Sequence, residues 1–366
     1  MNFELSDDQR MLEDLVTRLV AGRLRGERPV FEVADAEWQA RWRLLAESGV
    51  AGLLVEPAHG GMGMGVLEAV VVARALGRGN ARLPFAACAA SALWLLDQAA
   101  PEAFKARWLP RACAGELLFA LALEDDNHRA EPEGVRLRAG ALHGRKSAVI
   151  AGGLAQWLIV PARDEAGAPQ LLCVPASHPR VRVWSVPQLD GHNSAEVVFD
   201  GVPLADAQLL ASGDAAAARL AQAMDIGRVV LCAEALGLME SLWRQTVDYL
   251  QGRRQFKQAL AQFQVLQHRL VELMIAVEQA HSAVLIGAAG LLQGDAVVRS
   301  RQVALAKCRV GRHARQLAEQ ATQCFGGMGI TNEFEPTHYV RRLHTIDMSW
   351  GNADEQQRRY AELMQE

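Results

Sequence analysis

The spacing of the apolar residues changes twice along the chain. From residue 1 to about residue 115 they recur every three or four positions, as in MLEDLVTRLVAGRL, and this spacing is typical of amphipathic helices. Between about 116 and 207 they form short runs bounded by turn residues, such as QWLIVPA and AEVVFDGVPL, which indicate β-strands. From Leu209 onward the helical spacing returns. The sequence therefore predicts a helical domain (1–115), a central β domain (116–207) and a second helical domain (208–366).

One apolar stripe in the last region extends well past a typical helix length. It begins in FQVLQHRLVELMIAV and is formed by Phe263, Leu266, Leu270, Leu273, Met274 and Val277. We expect these residues to face the core from one long helix. Neither an internal repeat nor a low-complexity linker is evident in the sequence.

The composition limits the classes of protein to which the chain can belong. Half of the 366 residues are hydrophobic, which is enough for a large core. The net charge of −4 and the pI near 6.2 give no electrostatic basis for binding nucleic acid or an anionic membrane. The N-terminus, MNFELSDDQRMLEDL, is unlike a secretory signal, and the longest apolar stretches are too short for a membrane span. We expect a soluble cytoplasmic protein.

The cysteines are far apart and form no CxxC pair. They are Cys88, Cys113, Cys173, Cys232, Cys308 and Cys324. This spacing disfavours both a metal site and a disulfide framework, so we expect reduced and mostly buried thiols and no bound metal.

Two glycine clusters could let the backbone approach a cofactor. The first, HGGMGMG at 59–65, has no GxGxxG register and lacks the βαβ unit of a dinucleotide site, so we interpret it as a plain turn. The second, QCFGGMG at 323–329, follows a long helical segment, where glycine commonly caps a helix C-terminus. Glycines at this place also permit close approach to a ligand phosphate or ring. The local sequence is compatible with both interpretations of the second cluster.

A segment rich in basic and aromatic residues runs from Tyr249 to Arg269. Arg253 and Arg254 precede Gln255 and Phe256 within it. An arginine can bind a pyrophosphate through two hydrogen bonds, and an aromatic ring can cover an adenine or a flavin. The alternative is a solvated basic turn before a core helix.

Taken together, these stretches resemble the acyl-CoA dehydrogenase family over essentially the whole chain. The resemblance is carried, in the family's order and spacing, by LSDDQRML, EPAHGGMGMG, SAEVVFDGVPL, RRQFKQALAQFQVLQH and QCFGGMGITNEF. It implies an α+β fold with an N-terminal helical domain, a β-barrel-like domain and a C-terminal four-helix bundle. It also implies FAD as cofactor, an acyl-CoA thioester as substrate and an electron-transfer flavoprotein as acceptor. The implied reaction removes an α-proton and a β-hydride to give the enoyl-CoA.

In this family a neighbouring subunit lays certain residues along the FAD of its partner, and the resemblance places such residues here. Arg253 corresponds to the pyrophosphate contact, with Gln255 and Phe256 beside it, and Gln264 corresponds to a residue near the adenosine half. The same region of the cofactor is approached by Gln323, Gly326 and Gly327. Lys257 is a departure, because the family usually has glycine after the phenylalanine.

The residues that a family member uses on its own flavin ring differ in this chain. Where the family has Thr-Glu-Pro at a strand end, this chain has Leu123, Glu124 and Asp125. Past the Gly-x-Lys turn the family has an aromatic residue followed by Ile-Thr. Here Gly144, Arg145, Lys146 and Ser147 lead into Ala148, Val149 and Ile150. Hydroxyl donors and a stacking ring are both missing.

Both positions of the family's catalytic base lack a carboxylate. Counting without gaps from Gly329 places Trp350 at the usual glutamate, and the alternative position is Gly227, before Arg228. Asp347 is a candidate for a relocated base, and Arg228 is a candidate substrate-binding residue. The simpler interpretation of Asp347, Asp354 and Glu355 is helix-terminal or surface charge. Asp225 is expected to pair with Arg228 three residues on.

Three functions are compatible with these departures. The chain is either a self-sufficient acyl-CoA dehydrogenase with a relocated base, or the subunit of an α2β2 assembly that completes the FAD site of its partner. The third reading is a family member diverted to another acyl-CoA or flavin reaction. The trans-acting residues are retained and the cis-acting ones are lost, which favours the paired subunit. The expected assembly is a homo- or hetero-tetramer with a companion dehydrogenase subunit.

Overall fold

The N-terminal region is helical in the computed structural model, which describes residues 5–24, 35–124 and 134–365. Helices α1 to α5 span Asp7–Leu19, Asp35–Glu47, Val66–Arg78, Trp94–Ala99 and Glu102–Cys113. Ser6 starts α1 through a capping box with Gln9, each side chain bonding the backbone N–H of the other residue. The segment Phe85–Leu93 has the wider turns of a π-helix and runs directly into α4.

The middle of the chain folds as a sheet. Strands β1 to β8 are Phe119–Leu121, Val135–Arg138, Ala141–Ile150, Trp157–Arg163, Pro169–Pro175, Val181–Pro187, Asn193–Pro203 and Gln208–Ser212. Their order is β6-β7-β3-β2-β4-β5-β8, and β1 pairs with β4. The pairs β1–β4 and β2–β4 are parallel and the others are antiparallel, so the sheet is mixed rather than doubly wound.

Strand β8 shows that the predicted start of the second helical region, at Leu209, is wrong. The apolar spacing predicts helix from Leu209, but β8 continues to Ser212 and the next helix begins at Gly213. The strand pairs with β5, where Cys173 lies opposite Gln208. Leu210 is buried while Leu209 is 41% exposed, which is the alternation of a strand. Pairing with the sheet decides the conformation of a run that is too short to define a helical period.

The C-terminal region is again helical, so the predicted helical–β–helical order is confirmed. Helices α6 to α10 span Gly213–Gly252, Gln264–Leu291, Ala296–Phe325, Glu335–Met348 and Ala353–Glu362. Two short strands, β9 (Arg254–Gln255) and β10 (Gln258–Ala259), form a hairpin between α6 and α7. The predicted stripe on α7 is confirmed in part, since Leu273 and Val277 are buried but Met274 is 47% exposed.

The structure separates into two compact units. One contains Met1–Phe31, Val70–Arg82 and Arg228–Glu366, and the other contains Glu32–Ala69 and Leu83–Gly227. Within the first unit, α8 packs against α7, α9 and α10. The division into three domains at 115 and 207 stays a prediction.

The glycine cluster at 59–65 forms the expected turn. Gly60 has a φ of 84° and Gly63 a φ of 62°, values that glycine adopts without strain. A Cβ atom on Gly61 would clash with the backbone of Val55. All six cysteines are free and buried, as predicted. Burial raises the pKa of the Cys113 and Cys232 thiols to about 12, so neither supplies a thiolate at neutral pH.

Helix α7 has the length and apolar composition that a membrane span requires, and it is the one described helix that does. It packs against α8 in the structure. A core helix passes the same test of length and composition. The expectation of a protein without a membrane partner stays a prediction.

Candidate functional site

The β9–β10 hairpin presents its residues outward from the end of α6. Gln255 pairs with Gln258 and Arg254 with Ala259, which leaves Phe256 and Lys257 as a two-residue turn. Phe256 is 84% exposed, and the edge of its ring meets Phe263 with 6.1 Å between ring centroids. An aromatic side chain left this exposed is available for a contact outside the chain.

The polar side chains predicted to touch the cofactor are exposed and unengaged. Arg253 and Gln255 lie on the hairpin, Gln264 is the first residue of α7, and Gln323 lies in the last turn of α8. Within the described ranges, none of these four side chains makes a hydrogen bond or an ion pair. They are therefore free to bind a group that comes from outside this chain.

An aromatic cluster joins the end of α6, just before the hairpin, to the end of α8. The Tyr249 hydroxyl donates to the carbonyl oxygen of Phe325 at 3.3 Å, and their rings meet edge to face at 5.2 Å. Phe334 packs against both rings, 5.7 Å from Tyr249 and 4.9 Å from Phe325. The structure thus brings together two stretches, 249–264 and 323–327, that are about 60 residues apart in the sequence.

The glycines after α8 leave open space. Helix α8 ends at Phe325, and Gly326 caps it with a φ of 62°, so the helix-cap interpretation is confirmed. A Cβ atom added at Gly326 or Gly327 would meet nothing within 4 Å. Packing among the described residues does not require glycine at position 327, and a backbone without a side chain permits close approach of a ligand. The arginine and amide side chains that make no bond within the described residues, and this open glycine backbone, have the chemistry that the pyrophosphate and adenosine of FAD require.

The segment TIDMSWGNADEQ is a connection between two helices. Helix α9 ends at Met348, and Asn352 caps α10 by accepting hydrogen bonds from the backbone N–H groups of Asp354 and Glu355. Glu355 completes the capping box by bonding the N–H of Asn352 at 3.0 Å. Asp354 and Glu355 are therefore helix-terminal charges, as expected.

Trp350 is buried and held in an uncommon conformation at the centre of this connection. It is 3% exposed, and its φ of 56° lies in the left-handed region, which large side chains rarely adopt. Its carbonyl oxygen accepts hydrogen bonds from Arg228 Nε at 3.0 Å and from Gln356 Nε2 at 3.1 Å. Two donors from different helices therefore fix the backbone at the position that resembles the family's catalytic glutamate.

Asp347 is a buried carboxylate in the last turn of α9, so of the two expected alternatives it is a helix-terminal charge and not a surface charge. It is 3% exposed, and its Oδ2 accepts from Arg315 at 2.6 Å while its Oδ1 accepts from the N–H of Ala353 at 3.2 Å. The burial arises because Gly311 on α8 has no side chain where the carboxylate packs. Both oxygens are thus occupied by groups that hold α9 and α10 together.

The side chain of Lys307, on α8, forms hydrogen bonds with the C-terminal end of α9. Its Nζ donates to the carbonyl oxygens of Ile346 at 2.9 Å and Asp347 at 3.0 Å. These carbonyls belong to the last turn of the helix, and that of Ile346 also accepts a hydrogen bond from the N–H of Ser349 at 3.2 Å. Burial lowers the pKa of the Lys307 ammonium group. Sequence analysis missed Lys307, Arg315 and Gln356, and only the N-x-x-E capping box could have been found from local sequence.

The other candidates at the base positions are placed as follows. Gly227 and Arg228 lie in the interior of α6, so no carboxylate occupies the alternative position. Arg228 is 6% exposed and already bonded to Trp350, which leaves little of it for a substrate. Asp225 is completely buried, and its expected pairing with Arg228 stays a prediction.

The strand that should face a flavin ring carries a buried lysine. Lys146 is completely buried and donates from Nζ to the carbonyl oxygen of Leu123 at 2.9 Å. The N–H of Ser147 donates to the carbonyl oxygen of Glu124 at 2.8 Å. The register with β7 shifts between Lys146 and Val149, and Ala148 has a φ of 48°, so β3 is irregular at this point. Asp125 lies outside the described residues.

Comparisons with known proteins agree with this architecture. Residues 6–116 match the acyl-CoA dehydrogenase N-terminal domain, and residues 217–364 match the acyl-CoA dehydrogenase C-terminal domain. The mitochondrial isovaleryl-CoA dehydrogenase of Pongo abelii is 25% identical over 96% of this chain and 87% of its own length. The acryloyl-CoA reductase (NADH) of Anaerotignum propionicum is 26% identical over 97% of this chain and 93% of its own.

Solved structures share the fold at low sequence identity. The ChsE4–ChsE5 complex from Mycobacterium tuberculosis superposes with a TM-score of 0.87 at 22% identity, covering 100% of this chain and 99% of that one. The butyryl-CoA dehydrogenase of Megasphaera elsdenii superposes with a TM-score of 0.86 at 22% identity, covering 100% of each chain. Because the two matched domains account for most of its length, the chain belongs to the acyl-CoA dehydrogenase family.

Proposed function

We propose that this chain is a subunit of an FAD-dependent acyl-CoA dehydrogenase that completes the flavin site of an adjacent subunit and lacks the usual catalytic base itself. The chain is a member of a family of FAD-dependent oxidoreductases that act on acyl-CoA thioesters. Its role is then to hold cofactor for a partner, while the α,β-dehydrogenation takes place at the partner's base.

The contrast between two sets of residues carries this proposal. Arg253, Gln255 and Gln323 are exposed and make no bond within the described residues, as side chains that await a ligand should be. Trp350 and Asp347, in contrast, are buried and fully engaged with neighbours of the same chain. Selection for trans-acting contacts without a cis-acting base would produce this pattern.

The chemistry of the reaction explains why the base matters. A thioester α-proton is weakly acidic, so a carboxylate must lie within hydrogen-bond reach of it. The indole of Trp350 has no acceptor atom that could take this proton. To act as the base, Asp347 would have to break its ion pair with Arg315 and its hydrogen bond with the Ala353 N–H. Breaking a buried ion pair costs free energy, because it leaves a buried charge without its partner. The observed geometry therefore disfavours the relocated-base alternative.

The cofactor side of the proposal relies on residues of this chain that fit FAD. Bound FAD supplies the hydride acceptor for the β-carbon. Arg253 is suited to the pyrophosphate, because a guanidinium forms charge-assisted bonds to phosphate oxygens. Gln255, Gln264 and Gln323 are suited to the ribose and adenine, and the open backbone at Gly326 and Gly327 permits close approach.

Two structural neighbours favour a paired assembly. One is the ChsE4–ChsE5 complex, and another is a variant of the steroid enzyme Tcur3481–Tcur3483, which superposes with a TM-score of 0.88 at 22% identity. Both names describe two chains together. We therefore propose a tetramer with a companion dehydrogenase subunit, an acyl-CoA as substrate and an electron-transfer flavoprotein as acceptor.

The decisive experiment is the FAD stoichiometry of the purified protein, alone and co-expressed with a companion dehydrogenase encoded nearby. The proposal expects little flavin in the chain alone and fewer than one FAD per chain in the complex. One tightly bound FAD per chain in the isolated protein, together with rapid reduction by an acyl-CoA, would contradict it. Flavin that is reduced by NADH instead would support the diverted reaction suggested by the acryloyl-CoA reductase relative.

A further inference from the structure

The tip of the β9–β10 hairpin holds two large residues in a conformation that favours glycine. Phe256 has a φ of 51° and Lys257 a φ of 68°, so the turn is of type I′, in which asparagine and glycine are preferred. Other residues adopt it only at a cost in free energy. Strained positions of this kind cluster at ligand-binding sites, where the strain is retained for function.

Contacts inside the chain do not explain why a lysine occupies the strained position. Among the described residues, the ammonium group of Lys257 makes no ion pair or hydrogen bond, and the side chain is exposed. Only its carbonyl oxygen is engaged, by Arg254 Nη2 at 3.4 Å. The turn therefore projects an ammonium group beside the exposed ring of Phe256, toward something outside the chain.

The hairpin lies in a stretch whose positive charge is unbalanced. Between Asp248 and Glu272 the sequence contains no carboxylate, although the whole chain has a net charge of −4. The basic residues in this interval are Arg253, Arg254, Lys257 and Arg269. Three of them lie within five positions on one hairpin, so their fields add at a single place. Such a surface is complementary to a group with more than one negative charge.

We propose that Lys257 is a further cationic contact, next to Arg253 and Arg254, to the pyrophosphate of the FAD held by the adjacent subunit. The inference rests on the proposed function. The family resemblance gives glycine at this position, so the lysine is a feature of this chain rather than of its family. Lys257 increases the affinity of the assembly for the FAD of the adjacent subunit, and the strained turn positions its ammonium group for this contact.

The contribution of an exposed cation is modest and depends on salt. Exposed ion pairs are worth up to about 1 kcal/mol, which corresponds to roughly a two- to fivefold change in a dissociation constant. Salt screens such a pair over about 10 Å at 0.1 M and about 3 Å at 1 M. The contribution of Lys257 should therefore be measurable at low ionic strength and nearly vanish at high ionic strength.

The test compares Lys257→Gln and Lys257→Gly in the FAD-loaded assembly that contains this chain. The measured quantities are the dissociation constant of FAD across a series of KCl concentrations and the Tm of each protein. Both variants should bind FAD about two- to fivefold more weakly at low salt and match the wild type at high salt. Because glycine relieves the left-handed strain, Lys257→Gly should show an unchanged or higher Tm at high salt, where its FAD affinity matches the wild type.

Two further variants separate the possible failures. Arg358→Gln removes an exposed charge far along the sequence and should leave the FAD affinity unchanged. If Arg253→Ala loosens FAD while Lys257→Gln does not, Lys257 has no such role and the proposed function stands. If neither loosens FAD, the trans-acting site and this inference both fail. A lower Tm for Lys257→Gly at high salt would mean that the lysine stabilises the hairpin itself, and that result too would overturn the inference.

Discussion

The Nε of Arg228 donates a hydrogen bond to the carbonyl oxygen of Trp350 across 122 positions of sequence, at 3.0 Å. The same oxygen accepts from Gln356 Nε2 at 3.1 Å. Trp350 has its carbonyl in a buried environment and its φ at 56°, so these two donors both satisfy the oxygen and stabilise an uncommon backbone conformation. The connection between α9 and α10 is therefore held at its centre by hydrogen bonds from two other helical positions.

A double-mutant cycle on these two donors tests that rigidity. Arg228→Met and Gln356→Leu should each lower the free energy of unfolding by about 1–3 kcal/mol. The double variant should lose about 0.5–1.5 kcal/mol more than the sum, because only then is the buried oxygen left without a partner. Chemical denaturation measures all four proteins. Additive losses would show that the two donors do not share this oxygen.

Loss of the Arg253 guanidinium should weaken flavin retention in the intact assembly. Removing a charge-assisted bond to phosphate typically costs about 1.5–3 kcal/mol, or roughly ten- to hundredfold in FAD affinity. Equilibrium dialysis of Arg253→Ala against wild type measures the change. Arg253 makes no bond within the described residues, so the Tm of the chain should stay the same. Unchanged FAD affinity would argue strongly against the trans-acting role.

The carboxylates that contact the buried His59 should make stability depend on pH. His59 Nε2 lies 2.8 Å from Glu102 Oε1 and Nδ1 lies 2.7 Å from Asp97 Oδ1. The hydrogen bond to Glu102, and then those of Asp97, raise the pKa of His59 above 6.5 in spite of burial. A raised folded pKa gives stability that is fully present below pH 6.5 and lost as the pH rises through the folded value.

Substitution at either end of that cluster checks the assignment. In His59→Gln the decline of the free energy of unfolding above pH 6.5 should disappear. Glu102→Gln should reduce it, because the hydrogen bond from Glu102 is the largest single cause of the raised pKa of His59. His268→Gln, which changes an exposed histidine, should keep the wild-type profile. A decline that persists in His59→Gln would show that another group is responsible.

The elements that sequence could predict are those whose signal is local. Helical and strand spacing repeat over many residues, so the helical–β–helical order follows from the pattern alone. Strand β8 does not, because its five residues are defined by pairing with β5. The hairpin turn at Phe256 and Lys257 could not be predicted for a different reason. A type I′ turn is normally recognised in a sequence by asparagine or glycine, and this turn contains neither.

The surroundings of Asp347 could not be predicted for a third reason. Its partners Arg315 and Ala353 come from α8 and α10. Lys307, which lies about two turns before Arg315 on α8, bonds the carbonyl oxygens of Ile346 and Asp347. Nothing in the segment TIDMSWGNADEQ indicates that three helices converge there. The carboxylate of Asp347 fits there because Gly311 has no side chain. A single glycine in a helical sequence does not indicate that a carboxylate packs against it.

Without a partner, the chain should be a poor dehydrogenase, and FAD added to it should be reduced slowly by any acyl-CoA. A missing general base commonly costs on the order of 10²–10⁴-fold in rate. Anaerobic reduction of FAD added to the isolated protein, measured with a panel of acyl-CoAs, gives the rate. Rapid reduction would overturn the proposed function, and its loss in Asp347→Asn would then identify Asp347 as the base.

Trp350→Glu should restore part of the rate if Trp350 stands where the family has its base. The substitution also removes a large buried side chain, and the resulting cavity destabilises the protein by several kcal/mol, about 3–5 for the comparable Trp→Ala change. Trp350→Gln leaves nearly the same cavity without a base and is therefore the matched control. Faster bleaching by Trp350→Glu than by Trp350→Gln, at equal Tm and equal FAD content, would place the carboxylate at the substrate's α-carbon. Equal rates in the two folded variants would mean that this turn does not face a substrate, and that Trp350 is purely structural.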